Sequence, residues 1–532
     1  MGIEAPGRGA GPVNFIEENR QLARWILPCL AFCIVAGVIC RFTDLDRRPY
    51  WFDEACTSQR VFGYSNAEVE RRFFNGRQIT ASEFYQTQSK DKRHGPVETV
   101  LADAEIDPKH PPLYFVLARL WADAAGDSIA AMRSLPALFS VLALPCAYWL
   151  AMELFGSRVA AWSMVVIAAV SPFNVMYAQE SRHYSLWLVG ILASSAALLR
   201  AMRLQSLGSW VLYALTMTVA IYTHLLTLLV AISHGAYVAV LEKCRWNRTT
   251  AGYLAASAAV ALLFLPWALI ILANATPTLT TYLEWTTTDL GWSRWAGIWV
   301  ANLGRLFVAL PVPLPAGIGP ALHWSVIAVE ATAFWYIVKT GQRRAWLFVV
   351  LLAGVTAVAL SAPDLVCGGK RAITARFETP CFVGIELAVA YLVSQVVATG
   401  ADHARTPLRM ICVALLTAGL ASCLLMVHAD DWKHHGAKEN LAAAAIINHT
   451  EDGLLIGERF GSQSGDLMAL IHYLRPDVKM RLVLAPSLLV IPDNSAAVFL
   501  LRPSQQLRQS LQSHGYRLTP LDSEHYLWKL VR

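Results

Sequence analysis

Arg47-Arg48-Pro49-Tyr50-Trp51-Phe52-Asp53-Glu54-Ala55 follows directly on an apolar run, Leu22–Cys40, that is long enough to cross a bilayer. The run comes after a polar N-terminal tail and carries no small-residue cleavage site, so it reads as a retained helix rather than a signal peptide. Two carboxylates beside a membrane segment lose solvation, and a chain that keeps such groups there commonly uses them for proton handling, cation binding or catalysis. An ordinary solvated interfacial loop is the alternative that position alone leaves open.

Composition places the chain in the membrane. Of its 532 residues 55% are hydrophobic and only 15% charged, which reads as a polytopic α-helical membrane protein. Further apolar segments lie near 133–153, 158–178, 183–200, 209–223, 225–241, 251–272, 319–338, 345–362, 377–398 and 410–428, giving about eleven spans in all. With the N-terminus inside, the clusters Arg158, Arg200/Arg203, Lys243/Arg245/Arg248, Lys339/Arg343/Arg344 and Arg405/Arg409 all fall on the cytoplasmic side. Two semi-apolar stretches, 112–125 and 295–310, break that pattern as spans and read as interfacial helices, the first of them in the long outer loop 41–131. The net charge of +6 is no argument for nucleic acid, because the basic residues sit between apolar segments. Most of the ten cysteines lie in apolar runs as small hydrophobes. Cys56 and Cys367 lie outside them, and no disulfide is predicted.

The expected organisation is a transmembrane domain, 1–428, and an extracytoplasmic α/β domain, 429–532. In the tail, 441–447 and 505–512 read as helices, and 453–457, 482–484 and 497–501 as strands. His434–His435 is an unconvincing metal pair, since adjacent side chains on a helix diverge.

On the outer side four clusters join Asp53–Glu54. One is Lys109-His110-Pro111-Pro112-Leu113-Tyr114, whose prolines set a rigid helix entry. A second, Gln179-Glu180-Ser181-Arg182-His183-Tyr184, is more densely ionisable than a tight turn needs. A third, Tyr222-Thr223-His224, closes another hairpin. The fourth is Lys370-Arg371 with Arg376, basic against the topological bias, and Arg133 stands at the outer start of the second span. Arginines offer a planar fork of donors to phosphate oxygens, and a carboxylate accepts the proton of an incoming hydroxyl. Group transfer from a lipid-linked phosphate needs both. No P-loop is present and no GxGxxG joins a strand to a helix, so nothing fits a nucleotide donor. A transporter or flippase also gathers charge among many helices, but typically near mid-bilayer and in repeated halves; here the charge lies at one surface and no repeat is seen. A scaffold with a partner-binding tail would leave the acids and arginines without a purpose.

Trp51-Phe52-Asp53-Glu54-Ala55, His110-Pro111-Pro112-Leu113-Tyr114, Gln179 to Tyr184 and Thr223-His224 occur in the order and spacing of a known group. Together with Arg376-Phe377…Pro380 and Asp430-Asp431-Trp432-Lys433 they resemble the bacterial relatives of dolichyl-phosphate-mannose protein mannosyltransferases and of the lipid A aminoarabinose transferase. These are family-39-like members of the glycosyltransferase-C superfamily, and the resemblance covers roughly residues 20–460. It implies an inverting glycosyltransferase of the inner (plasma) membrane, with the N-terminus cytoplasmic and the C-terminal domain outside. The partners it implies are a polyprenyl-phosphate sugar, a lipid, glycan or protein hydroxyl acceptor, and the bilayer. Asp53 would be the base and Glu54 its support. Arg182 and Arg376, with Arg133, His110, Lys370 and Arg371, would hold the donor phosphate. Tyr114, Glu180, His183, Tyr184 and His224 would line the substrate site. The motifs name no cofactor and leave the need for a metal open: Asp53–Glu54 could bind a divalent cation, but no His or further carboxylate at ligand spacing supports it. Phe377 stands where the group has Tyr, and His110 where the aminoarabinose branch has Lys, so these motifs do not name the sugar.

Overall fold

A computed structural model of the chain describes residues 28–274, 286–288, 290–312, 314–398, 406–429, 437–459, 463–484, 497–523 and 525–531. The start of the first apolar run, Asp430-Asp431-Trp432-Lys433 and His434–His435 lie outside the described residues. From the amino end, α1 (Pro28–Phe42) leads into a long loop of α2 (Phe52–Val61), α3 (Asn66–Phe73), β1 (Asn75–Thr80), α4 (Ala81–Tyr85), α5 (Pro96–Ile106) and α6 (Leu113–Ala125). The bundle follows: α7 (Ile129–Phe155), α8 (Arg158–Val170), α9 (Pro172–Ala178), α10 (Tyr184–Leu204), α11 (Leu207–Ile221), α12 (Thr227–Leu241) and α13 (Arg248–Ala273). It continues with α14 (Trp292–Arg305), α15 (Ile318–Thr340), α16 (Arg343–Cys367), α17 (Thr379–Ala398) and α18 (Thr406–Val427).

This is a multi-pass membrane protein. Among the described residues 7 helices are long and apolar enough to cross a bilayer, and up to 8 if a bent pair counts as one span. The count falls below eleven for a physical reason. The 15-residue α11 and α12 extend only about 22 Å each, short of a hydrocarbon core about 30 Å thick, and α1 is short as well. The expected continuous span 158–178 is also corrected: α8 and α9 meet at 58°. Pro172 has no N–H to return to the Ala168 carbonyl, so the ladder breaks there. The buried Arg41 of α1 repairs the loss, donating to the carbonyls of Ala168 and Ala169, each at 2.8 Å. The two stretches expected at the interface are the short helices α6 and α14.

After α18 come α19 (Ala437–Asn448), β2 (Gly453–Arg459), α20 (Gln463–Leu470), β3 (Lys479–Leu484), β4 (Ala497–Leu501), α21 (Gln505–Ser513), β5 (Arg517–Pro520) and β6 (Leu527–Val531). They form a six-stranded sheet in the order β1-β3-β2-β4-β6-β5. The central strand β2 runs parallel to β3 and β4 and is buried almost throughout, as its unbroken Leu454-Leu455-Ile456 requires. One strand comes from far away: β1 of the first long loop pairs antiparallel with β3, with Thr80 opposite Lys479. Loop and tail therefore share one sheet and one apolar core, in which Phe62, Phe73 and Phe84 lie with Leu455, Leu467 and Met480. This core clamps α2, the helix that carries the acidic pair.

Candidate functional site

Asp53 and Glu54 occupy the first turn of α2, where free N–H groups and the helix dipole favour negative charge. Asp53, Thr57 and Arg60 are spaced four and three residues apart and so share a face. Arg182, from the turn between α9 and α10, reaches that face. Its Nη1 donates to Thr57 Oγ1 at 2.7 Å and to the Asp53 carbonyl at 3.2 Å, and its Nη2 lies 3.8 Å from Asp53 Oδ2. Arg376 approaches from the start of the α17 span, with Nη2 3.5 Å from the same oxygen. Burial would raise the Asp53 carboxyl, but Arg182 and Arg376, aided by His110 and Arg60, hold it below the usual carboxylate range. The Tyr184 ring lies beneath both guanidinium groups, at 5.6 and 5.9 Å, and Trp51 and Phe377 complete an aromatic cradle around Arg376.

Glu54 points the other way, into a sealed pocket. Arg133 donates Nε and Nη2 to its two oxygens at 2.8 and 2.6 Å, and the Ser181 N–H adds a bond of 2.7 Å. The rest of the guanidinium is spent on the carbonyls of Leu45, Arg48 and Pro49. A guanidinium has five N–H groups, and all five are committed. The expectation that Arg133 holds a donor phosphate is therefore corrected: it has no donor to offer. Glu54 likewise serves as the counter-ion that ties residues 45–49, α7 and the 180–182 turn together.

A second charged knot lies beside Asp53. The Asp107 carboxylate receives His110 Nδ1 at 3.1 Å, Lys109 Nζ at 3.2 Å and Arg60 Nη2 at 3.4 Å. Burial opposes its ionisation, yet the contacts from His110, Arg60 and Lys109 hold it well below the ordinary carboxylate range. An ionised carboxylate only accepts, so Nδ1 carries the proton. Burial outweighs Asp107 and brings His110 down to about 4, which leaves the ring neutral with a lone pair at Nε2. That atom can accept from a hydroxyl but offers no proton to a phosphate oxygen, contrary to the expected phosphate role.

The other expected residues divide. His183 lies between His110 and His224, with ring centroids 5.4 and 5.0 Å away, and His224 stacks on Trp187 at 4.1 Å. Burial pushes both histidines well below their ordinary pKa, so they form a neutral aromatic wall. Tyr114 is fully buried beside His183, and Glu180 is buried behind the turn. Arg371 does not converge on Asp53; it pairs with Asp364 at 2.9 Å, which also accepts from the Ala372 N–H and the Trp295 indole. Lys370 belongs to the same turn, its N–H on the Thr286 carbonyl. Thr57, Arg60, Asp107 and Trp51 are site residues that sequence reasoning missed. Helical spacing from Asp53 marks the first two, and the three-residue step to His110 marks Asp107. Among the described residues no group of three or more His, Cys, Asp or Glu gathers to hold a metal ion.

A family model for dolichyl-phosphate-mannose-protein mannosyltransferase matches residues 109–270, the stretch that carries His110, Arg182 and His224. In fold the chain is similar to ArnT from Cupriavidus metallidurans bound to undecaprenyl phosphate. The TM-score is 0.53 at 12% identity, over 95% of this chain and 97% of that one. It shares the glycosyltransferase-C fold. The apo state of the same ArnT gives 0.54 at 13% identity over 96% and 98%. The Archaeoglobus fulgidus oligosaccharyltransferase, tethered with an acceptor peptide containing the NVT sequon, gives 0.50 at 12% over 85% of this chain and 64% of its own. No curated protein matches in sequence. The glycosyltransferase-C resemblance read from the short motifs thus stands in fold, and the apolar helices place it in a membrane.

Proposed function

We propose that the chain transfers a sugar from a polyprenyl-phosphate donor to an acceptor hydroxyl on the non-cytoplasmic face, with inversion and with Asp53 as base. The observation that carries this reading is the Asp53 carboxylate lying 3.5–3.8 Å from both Arg376 and Arg182, beside an apolar helix bundle. Arg182 and Arg376 present forked donors to the donor phosphate and stabilise the charge it gains as the bond to the sugar breaks. The acceptor oxygen attacks the anomeric carbon from the opposite face, its proton passes to Asp53, and the phosphate leaves with the electron pair. Arginines drawn toward the phosphate release their hold on Asp53 and make it a better base. The His110 lone pair orients a hydroxyl, and Arg133–Glu54 is the frame.

In this reading α1, α11 and α12 also cross the bilayer, and α8–α9 count as one bent span, which makes about eleven. The N-terminus is then cytoplasmic, and the tail, together with β1 of the first long loop rather than as the separate domain 429–532 expected from sequence, forms an α/β unit outside the inner membrane. The test is purified enzyme in vesicles with a radiolabelled polyprenyl-phosphate sugar. Label covalently joined to an acceptor supports transfer; lipid crossing the bilayer with no new covalent product makes the chain a flippase instead.

A further inference from the structure

A second concavity opens on the same helix as the base. It has a volume of about 340 Å³ and lies between α2 and α3 on one side and the carboxyl ends of β2 and β3 on the other. Arg459 and Leu484, the last residues of these two parallel strands, stand opposite each other in the sheet and both line it. In open sheets ligands bind outside the carboxyl ends of parallel strands, where successive connections diverge. Here the connections diverge from β2 toward β3 on one side and β4 on the other, and the cavity lies on the β3 side of β2. Phe52 and Cys56, lining the cavity from α2, bracket Asp53; Cys56 lies one turn along, about 5–6 Å away between β-carbons. The closeness is built in: a side chain at Gly465 of α20 would collide with the Phe52 ring at 2.3 Å.

The lining has a definite chemistry. Gln59 donates to Asn66 Oδ1 at 3.2 Å, Arg459 donates to the Asn66 carbonyl at 3.2 Å, and Arg459 pairs with Glu70 at 2.9 Å. The network is built of planar groups, pre-ordered and balanced in charge, so it suits neither an anion nor a cation. Phe52 and Met468 offer apolar surface beside it. Planar amides and an ion pair next to an aromatic face match a sugar ring, whose rim is hydroxyl and whose faces are C–H. The volume is at the small end of ligand cavities, enough for one or two rings. An extended peptide would dock on a free strand edge, whereas the edges of this sheet are β1 and β5 and the cavity sits at strand ends.

We infer that this cavity receives the acceptor and that the acceptor is a neutral saccharide, whose hydroxyl is delivered to Asp53 across the first turn of α2. The inference rests on the transferase reading above. To test it, full-length enzyme in proteoliposomes is given radiolabelled polyprenyl-phosphate sugars extracted from cells lacking this chain. The acceptors offered are the delipidated envelope glycans or, separately, the proteins of the same cells. Label is expected in the glycan fraction. Arg459→Met combined with Glu70→Leu, and separately Asn66→Ala, are expected to raise the glycan KM at least tenfold while the donor KM stays within twofold. The mild Glu70→Gln, which preserves packing, is expected to raise it less. Label in protein alone, or a glycan KM that all three variants leave unchanged, overturns the acceptor assignment. Label that goes only to the lipids of the same cells, offered as a third fraction, overturns it as well, and label in none of the three sinks the transferase reading itself.

Discussion

Asp53 and Glu54 are neighbours in sequence with the same charge, yet they end in opposite environments. Glu54 is fully buried, held by two short bonds from one guanidinium and a backbone N–H. Asp53 is partly open and faces two guanidinium groups at distances too long for a hydrogen bond. A carboxylate whose oxygens are saturated at 2.6–2.8 Å by its own protein has nothing left for a substrate. One held loosely by two cations can exchange them for a ligand. Tightness of pairing, rather than presence in a motif, separates the frame from the chemistry.

Asp53→Asn should break the comparison most visibly. Sugar transfer is expected to fall about 10²–10⁴-fold, the worth of a positioned base, while the thermal midpoint and donor binding hold. Near-normal turnover would remove Asp53 from the base role. Glu54→Gln should do the reverse in kind. Leaving Arg133 buried without its counter-charge is expected to cost about 3–5 kcal/mol of stability, read as a lower unfolding midpoint and poor yield. Glu54→Leu with Arg133→Met is expected to recover part of that loss, since an apolar pair strands no charge. A stable, inactive Glu54→Gln would mean that Glu54 works in the chemistry after all.

Legibility followed the range of the interactions. The seven long spans were readable because each is a local apolar run of bilayer length. The tail strands 453–457 and 497–501 were readable for the same reason. The break between α8 and α9 is written in Pro172, but the apolar run 158–178 carries on through it, so hydropathy alone does not register it. The strand β1 gave no local sign: Asn75-Gly76-Arg77-Gln78 is polar, and its partner β3 lies some four hundred residues on. At the site, the gathering of Asp53, Arg182 and Arg376 was expected from motif order. What sequence did not reveal was which cation each acid would take. Arg133 belongs to Glu54 and Arg371 to Asp364, and both pairings are fixed by packing between distant helices.

Arg376→Ala tests the loose side from the cation's end. Losing a charge-assisted contact to phosphate, worth about 1.5–3 kcal/mol, should weaken donor affinity about 10- to 100-fold and leave the acceptor KM nearly unchanged. Arg376→Lys should recover only part, because it returns the charge without the fork. Equal loss for donor and acceptor would place Arg376 in the fold rather than on the phosphate.

The smallest expected effect concerns pH. Asp53 is held below the ordinary carboxylate value of 3.8 by Arg182 and Arg376 against the pull of burial, and His110 sits near 4. Both are therefore already deprotonated at pH 5, and a sugar phosphodiester does not titrate above it. The profile of kcat/KM should then be flat from pH 7 down to 5, and the base should be lost only as pH falls through the acid range below about 4. Removing a cation raises the carboxyl, so in Arg376→Ala the acid limb should move upward and enter the window that was flat. A wild-type limb near pH 6 would show that the arginines do not hold Asp53 charged in the working enzyme. A limb that stays put in Arg376→Ala would show that Arg182 holds it alone, and would narrow the loose grip on Asp53 to one cation. Only the first outcome would leave the two neighbouring carboxylates differing by burial rather than by how their cations grip them.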